Sequence, residues 1–170
     1  MKIYYPLVVF LLVTVGALQA QQPMKFGHIN TAEILQAMPE LKAVETQMEA
    51  EFEAKEGQLM SMQEELKNRQ TAYQQTAEGL SAAERSTKEQ ELMELNQKVQ
   101  NFYMLSQQQI QAKQNELQAP IIQKLKAAIQ EVGDEQGFLY IFETTSRLPV
   151  YMSEKSIDVA PLVKAKLGIQ

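Results

Sequence analysis

Glu78-Gly79-Leu80-Ser81-Ala82-Ala83-Glu84 interrupts an apolar period that otherwise runs from Pro39 to about Gly137. The spacing predicts a turn at 78–82. Gly79 supplies a left-handed residue to end one helix, and Ser81 with Glu84 forms a capping box that starts the next. A break this short returns the chain on itself, so residues 39–137 read as two antiparallel helices. Along the first, Phe52, Lys55, Leu59, Met62, Leu66, Arg69, Tyr73, Thr76 and Leu80 recur at alternating steps of three and four, the narrow period of a two-helix seam. Leu41, Val44 and Met48 join that seam through a stutter, which predicts a straighter arm near its base. At about 1.5 Å per residue the arm is about 60 Å long, more than the width of a compact domain of this chain length. It must therefore project.

The return arm follows through Leu92, Leu95, Val99, Phe102, Tyr103, Ile110, Leu117, Ile121, Leu125, Ala128 and Val132. Pro120 lies inside this period and predicts a kink, because proline removes one helical hydrogen bond and crowds the carbonyl four residues back. Gly133 and Gly137 are expected to close the arm.

The flanking segments read as a head. Residues 21–38 contain a short strand over Met24–Ile29 and then a helix capped by Asn30, with Glu33 at its third position and Ile34, Leu35 and Met38 facing inward. Pro39 is suited to the first turn of the arm. Within 138–170, Phe138-Leu139-Tyr140-Ile141-Phe142 predicts a strand buried on both faces. Thr144–Arg147 is expected to turn, Leu148–Met152 to form a partner strand, and Asp158 to cap a last helix with Pro161 in its first turn and Leu162, Val163 and Leu167 on its apolar side. With the base of the hairpin included, a head of about 60 residues cannot cover both faces of such a strand unaided. The prediction is an α+β chain whose helical hairpin projects from a small head shared between subunits of an oligomer. Its shared core would be built from Phe26, Ile29, Phe138, Leu139, Tyr140, Ile141, Phe142 and Val150.

Residues 1–20 carry one charge, at Lys2, an apolar run over Leu7–Val15 and a small residue at Ala20, the pattern of a secretory signal peptide cleaved near Ala20. Its apolar run is too short to span a bilayer, so the mature chain is expected to be exported without a transmembrane segment. Removing Lys2 takes the formal net charge from -5 to -6, which argues against nucleic acid as a partner. The chain has no cysteine, so neither a disulfide nor a thiol-linked lipid is available.

Catalytic, metal and cofactor signatures are thin. His28 is the single histidine and has no spaced second ligand, so it reads as structural. Glu64 with Glu65, and Glu89 with Glu91, point to different sides of a helix and read as solvated carboxylates. The glutamines between Gln58 and Gln123 leave the apolar period intact. No glycine loop for phosphate and no activated nucleophile is present.

Taken in order, Gly27-His28-Ile29-Asn30 with Leu35 and Pro39-Glu40, the hairpin, Gly137-Phe138-Leu139-Tyr140-Ile141, and Asp158-Val159 with Val163 and Leu167 resemble the Skp/OmpH family of periplasmic chaperones. The resemblance covers Met24 to Leu167. Two differences stand out: Ala160 occupies a place where the family usually has threonine or serine, and this chain is acidic where better-known members are basic. The resemblance implies a homotrimer whose strands form a small β-barrel-like head, with three hairpins arranged around a cavity as tentacles. It also implies that the protein holds unfolded outer-membrane proteins there without ATP. Met60, Met62, Tyr73, Met93, Tyr103 and Met104 would then be the region of client contact, methionine being suited to adaptable packing. Met62, Tyr73 and Phe102 lie in seam register, which equally predicts a place in the hairpin core. The alternative is a structural spacer or adaptor whose arm binds one defined envelope partner.

Overall fold

A computed structural model describes residues 24–146 and 149–169 of the chain; the predicted signal segment 1–20 lies outside the described residues, as do Arg147 and Leu148. The order is β1 (Lys25–Ile29), α1 (Thr31–Ala37), α2 (Pro39–Thr76), a 3₁₀ turn (Ala77–Gly79), α3 (Ala82–Gln136), β2 (Phe138–Glu143), β3 (Ile157–Asp158) and α4 (Ala160–Leu167).

Local chemistry accounts for most of these boundaries. The Asn30 side chain accepts the Glu33 N–H at 3.1 Å and starts α1. Met38 leaves the helical region at ψ 124°, as the residue before a proline tends to, and Pro39 opens α2 where its missing N–H costs no hydrogen bond. At the far end Ser81 Oγ accepts the Glu84 N–H at 3.3 Å while the Glu84 carboxylate accepts the Ser81 N–H at 2.9 Å, a complete capping box. Gly79 corrects the reading of the turn. The positive φ values belong to Gly137 (68°) and Gly168 (72°), which end α3 and α4. Gly79 instead lies in the tightened 3₁₀ turn, and Arg85 donates to the Ala77 carbonyl at 3.1 Å. A terminal carbonyl is thus satisfied without a left-handed residue. Helix α3 continues through Pro120 and also through Gly133, so Gly137 closes it alone. A Cβ on Gly133 would stand 3.5 Å from Ile141 Cδ1, in contact with β2.

The seam of the hairpin departs from the predicted register in a few places. Val44, Leu59, Met62, Leu66 and Tyr73 face Leu92, Leu95, Val99, Phe102, Ile110 and Ile121, all buried or half-buried. Phe52, Arg69, Thr76 and Tyr103 are exposed, and Ser106 is buried in their stead. Lys55 keeps its predicted place by lying along the seam: its ammonium sits 5.8 Å from the Phe102 ring centroid and donates to Gln109 at 2.9 Å. A long aliphatic stem with a charged tip can fill such a position.

The head is a parallel three-stranded sheet in the order β2-β1-β3. Parallel neighbours need a crossover, and here the hairpin supplies it between β1 and β2. Lys25 pairs with Phe138 and Phe26 with Tyr140, so Leu139 is the extra residue at a bulge. The third strand corrects the sequence reading. Pro149–Met152 carries no strand and Val150 is fully exposed. Ile157 and Asp158 pair instead with Gly27 and His28. Proline has no N–H for a ladder, and the segment that reaches the free edge of β1 is the one leading into α4. Asp158 therefore ends a strand; Val159 is the cap residue of α4, though the Asp158 carboxylate still accepts the Ala160 N–H at 2.9 Å.

One core joins the pieces: Ile29, Ile34, Met38 and Val44 pack with Ile121, Leu125, Ala128 and Val132 of α3 and with Val159 and Val163. Gly27 is required here, because a Cβ would come within 2.9 Å of Val159 Cγ1. Charged contacts tie the same elements at the surface. Lys124 of α3 pairs with Glu40 of α2, and Lys166 of α4 reaches Glu131 at 3.0 Å and Glu135 at 2.6 Å. Within one chain the strand Phe138–Phe142 is not buried on both faces, contrary to the reading from its composition. Phe138 and Ile141 pack on the core, but Leu139, Tyr140 and Phe142 are 53%, 60% and 48% exposed.

Candidate interaction surfaces

Two surfaces carry apolar side chains toward solvent. The first is the outward face of the head sheet. Phe26 stacks on Tyr140 with ring centroids 6.3 Å apart, and Tyr140 on Phe142 at 6.0 Å. Beside them lies a groove of about 870 Å³ lined by Phe26, Phe142, Tyr151, Met152 and Ile157 among others. Strand β2 forms the sheet edge next to this face, with its outer side unpaired among the described residues. Of the predicted shared core, Ile29 is the one fully buried in the single chain. Phe138 and Ile141 are half-buried, and Phe26, Leu139, Tyr140, Phe142 and Val150 stand exposed.

Glu143 holds the end of β2 in place. Its carboxylate accepts the Thr31 N–H at 3.3 Å, the Thr145 N–H at 2.8 Å and the Thr145 hydroxyl at 2.6 Å. Burial pushes this carboxyl up, but the hydrogen bonds from Thr145 and Thr31 outweigh it and hold it below the usual carboxylate range. The His28 Nδ1 lies 2.9 Å from Ser156 Oγ. Among the described residues no three metal-ligating side chains come together, and no helix is long and apolar enough to cross a membrane.

The second surface lies along the arms. Met60, Met93, Tyr103 and Met104 are exposed, whereas Met62 and Tyr73 are half-buried in the seam. The structure therefore divides the predicted contact region in two. The Tyr73 hydroxyl donates to Glu89 across the hairpin, and that carboxylate raises the phenol above its ordinary value. Phe52 and Leu105 are further exposed apolar residues that the sequence reading did not place at this surface. Leu105 lies off the three-and-four register of its own arm, a signal of exposure that was legible in the sequence.

Comparison with known proteins agrees with this architecture. The profile of the family described as OmpH, Outer membrane protein (OmpH-like), matches residues 25–167. The chain is 22% identical over 135 residues to the chaperone protein Skp of Pectobacterium atrosepticum, covering 79% of this chain and 82% of that one. It is 26% identical over 151 residues to the Skp of Photorhabdus luminescens, covering 86% and 88%. Among solved structures, an OmpH-like outer membrane chaperone from Caulobacter crescentus CB15 superposes with a TM-score of 0.73 at 16% identity, over 85% of this chain and 83% of that one. That likeness concerns the fold, whereas the profile spans the first strand, the whole hairpin and the closing helix, and on that match this chain belongs to the OmpH-like outer membrane protein family.

Proposed function

We propose that this protein is an ATP-independent holdase chaperone of the periplasm that encloses unfolded outer-membrane β-barrel proteins and keeps them from aggregating. The observation that carries the reading is the match over the whole head and hairpin to relatives named as Skp chaperones. The division of the chain that goes with it is a signal peptide at 1–20, a head from 21–38 and 138–170, and an arm from 39–137. The uncovered sheet face and the free β2 edge support a head completed by other copies, in which Phe26, Leu139, Tyr140 and Phe142 become buried in a β-barrel shared by a homotrimer. Three projecting arms then surround a space in which Met60, Met93, Tyr103 and Met104 meet the client.

The physics of such a device is undemanding. An unfolded barrel protein exposes apolar strands that pair edge to edge with those of its neighbours, and enclosure separates it from them. Affinity for unfolded chain alone lets the client's own folding drive release, so no nucleotide is needed.

The test is light scattering of an unfolded outer-membrane barrel protein diluted from denaturant, with and without the mature chain, after mass-resolved chromatography. The expected result is a trimer that suppresses scattering near one trimer per client without nucleotide. A stable oligomer that leaves the scattering of every unfolded barrel unchanged would overturn the reading in favour of an adaptor with one folded envelope partner.

A further inference from the structure

The surface of the return arm is divided by charge. Between Lys98 and Lys113, α3 has no ionisable side chain acidic or basic at neutral pH, the longest such run in the described helices. At about 100° per residue, Met93, Gln100, Met104, Gln111, Asn115 and Ile122 fall within about 60° of one another on the helix. All of them are exposed, while Val99 and Ser106 turn into the seam. Of the charged residues of the same stretch, Glu91, Lys98, Lys113, Glu116 and Lys124 fall in the opposite sector, and Glu94 lies about 90° from the middle of the face. Several are paired there: Lys88 with Glu91 at 2.9 Å and Lys113 with Glu116 at 3.2 Å. Helix α2 offers no equivalent, for its exposed side carries Glu49, Glu53, Glu64 and Lys67.

We infer that this uncharged face of α3, from Met93 to Ile122, is the surface that holds an extended, uncharged segment of the client, one transmembrane strand at a time. The inference rests on the holdase reading and narrows it to one helix face. Two properties of the face match such a segment. The first is charge: the lipid-facing half of a barrel strand is apolar, and laying it on a charged surface would strip water from those charges at a cost that amides and thioethers avoid. The second is hydrogen-bonding character. An unfolded strand presents free N–H and C=O groups together, and a carboxamide donates and accepts at once. Gln111 donates to Asn115 at 3.2 Å and Gln97 to Asn101 at 2.9 Å. Each pair fixes two amides in a row and leaves a carbonyl and an amino group toward solvent. Length agrees as well, since the face is about 44 Å long and a transmembrane strand of about ten residues is about 33 Å.

The experiment compares three mature chains for affinity toward a labelled unfolded outer-membrane barrel protein diluted from urea: the parent, Met104→Glu with Asn115→Glu on the face, and Gln47→Glu with Gln58→Glu on exposed positions of α2 turned away from Met60. Both variants add the same charge, and glutamate is a good helix former. The α3 pair is expected to raise the Kd by at least about tenfold and the α2 pair to leave it within about twofold. Met104→Gln with Asn115→Gln should bind like the parent, and a photo-crosslinker at position 104 should capture client where one at position 58, on the side of α2 away from Met60, does not. If the parent binds and both charged pairs bind equally well, the face is wrong and the holdase reading survives. If the parent binds no unfolded barrel, both fall. If the α3 pair changes the oligomer mass in chromatography, a second copy covers this face and the inference is overturned.

Discussion

At the residue scale, Glu143 is the clearest case of one side chain organising its surroundings. It joins the end of β2 to the start of α1 through Thr31 and steadies the following turn through Thr145. Its carboxyl titrates below the ordinary value of 4.5 in the folded chain. A group lowered on folding contributes stability that is present above its unfolded pKa and lost as the pH falls through the folded one. Urea unfolding of the parent should therefore weaken below about pH 4.5 by more than that of Glu143→Gln, and the two should converge at lower pH. At pH 7 the variant should be less stable by about 1 kcal/mol, typical of a hydrogen bond to a partly exposed charged group. Glu40 and Glu84 are also held low, by Lys124 and by Ser81. They are common to both proteins and cancel from the difference. Unfolding curves that stay parallel from pH 7 to pH 3.5 would remove this role from Glu143.

At the scale of elements, the hairpin seam is thin and unevenly filled. Ser106 is 6% exposed in α3, and its hydroxyl has no hydrogen-bond partner among the described residues. A buried hydroxyl left without a partner is destabilising, and alanine is also the better helix former. Ser106→Ala is expected to stabilise the arm by roughly 1 kcal/mol, seen as a higher melting temperature with unchanged oligomer mass. A lower melting temperature would mean that the hydroxyl is engaged. Ser106 escaped the sequence reading because the period of the return arm follows its apolar residues, which step from Tyr103 to Ile110 past it. Phe52 was misplaced in the other direction: it stands seven residues before half-buried Leu59, in the same register, yet is 50% exposed.

For the whole molecule, Leu139 and Ile141 separate assembly from folding. Both belong to the strand that composition marks as doubly buried, but Ile141 packs on the core of its own chain and Leu139 stands at a bulge, exposed. An unpaired charge in a core costs several kcal/mol, about the whole stability margin of a small domain. Ile141→Asp should lose the head's circular dichroism and unfold. Leu139→Asp should keep helical content and run as a monomer in mass-resolved chromatography. A Leu139→Asp chain that remains a trimer would exclude this strand from the proposed shared barrel.

The hairpin, its turn at Ser81 and Glu84, the cap at Asn30 and the start of α2 at Pro39 were legible because each depends on residues no more than four apart. Helical hydrogen bonds and caps are local, and periodicity reports them directly. Tertiary structure alone decided that the third strand is Ile157–Asp158 and not the segment around Val150. It likewise decided that Gly79 needs no left-handed backbone once Arg85 reaches the Ala77 carbonyl, and that Gly27 must lack a side chain beside Val159. The strand and glycine contacts join residues more than a hundred positions apart, and even the Arg85 contact crosses a turn. They follow from where the returning chain meets an open strand edge or a carbonyl at a helix end, a matter of geometry that no local pattern records.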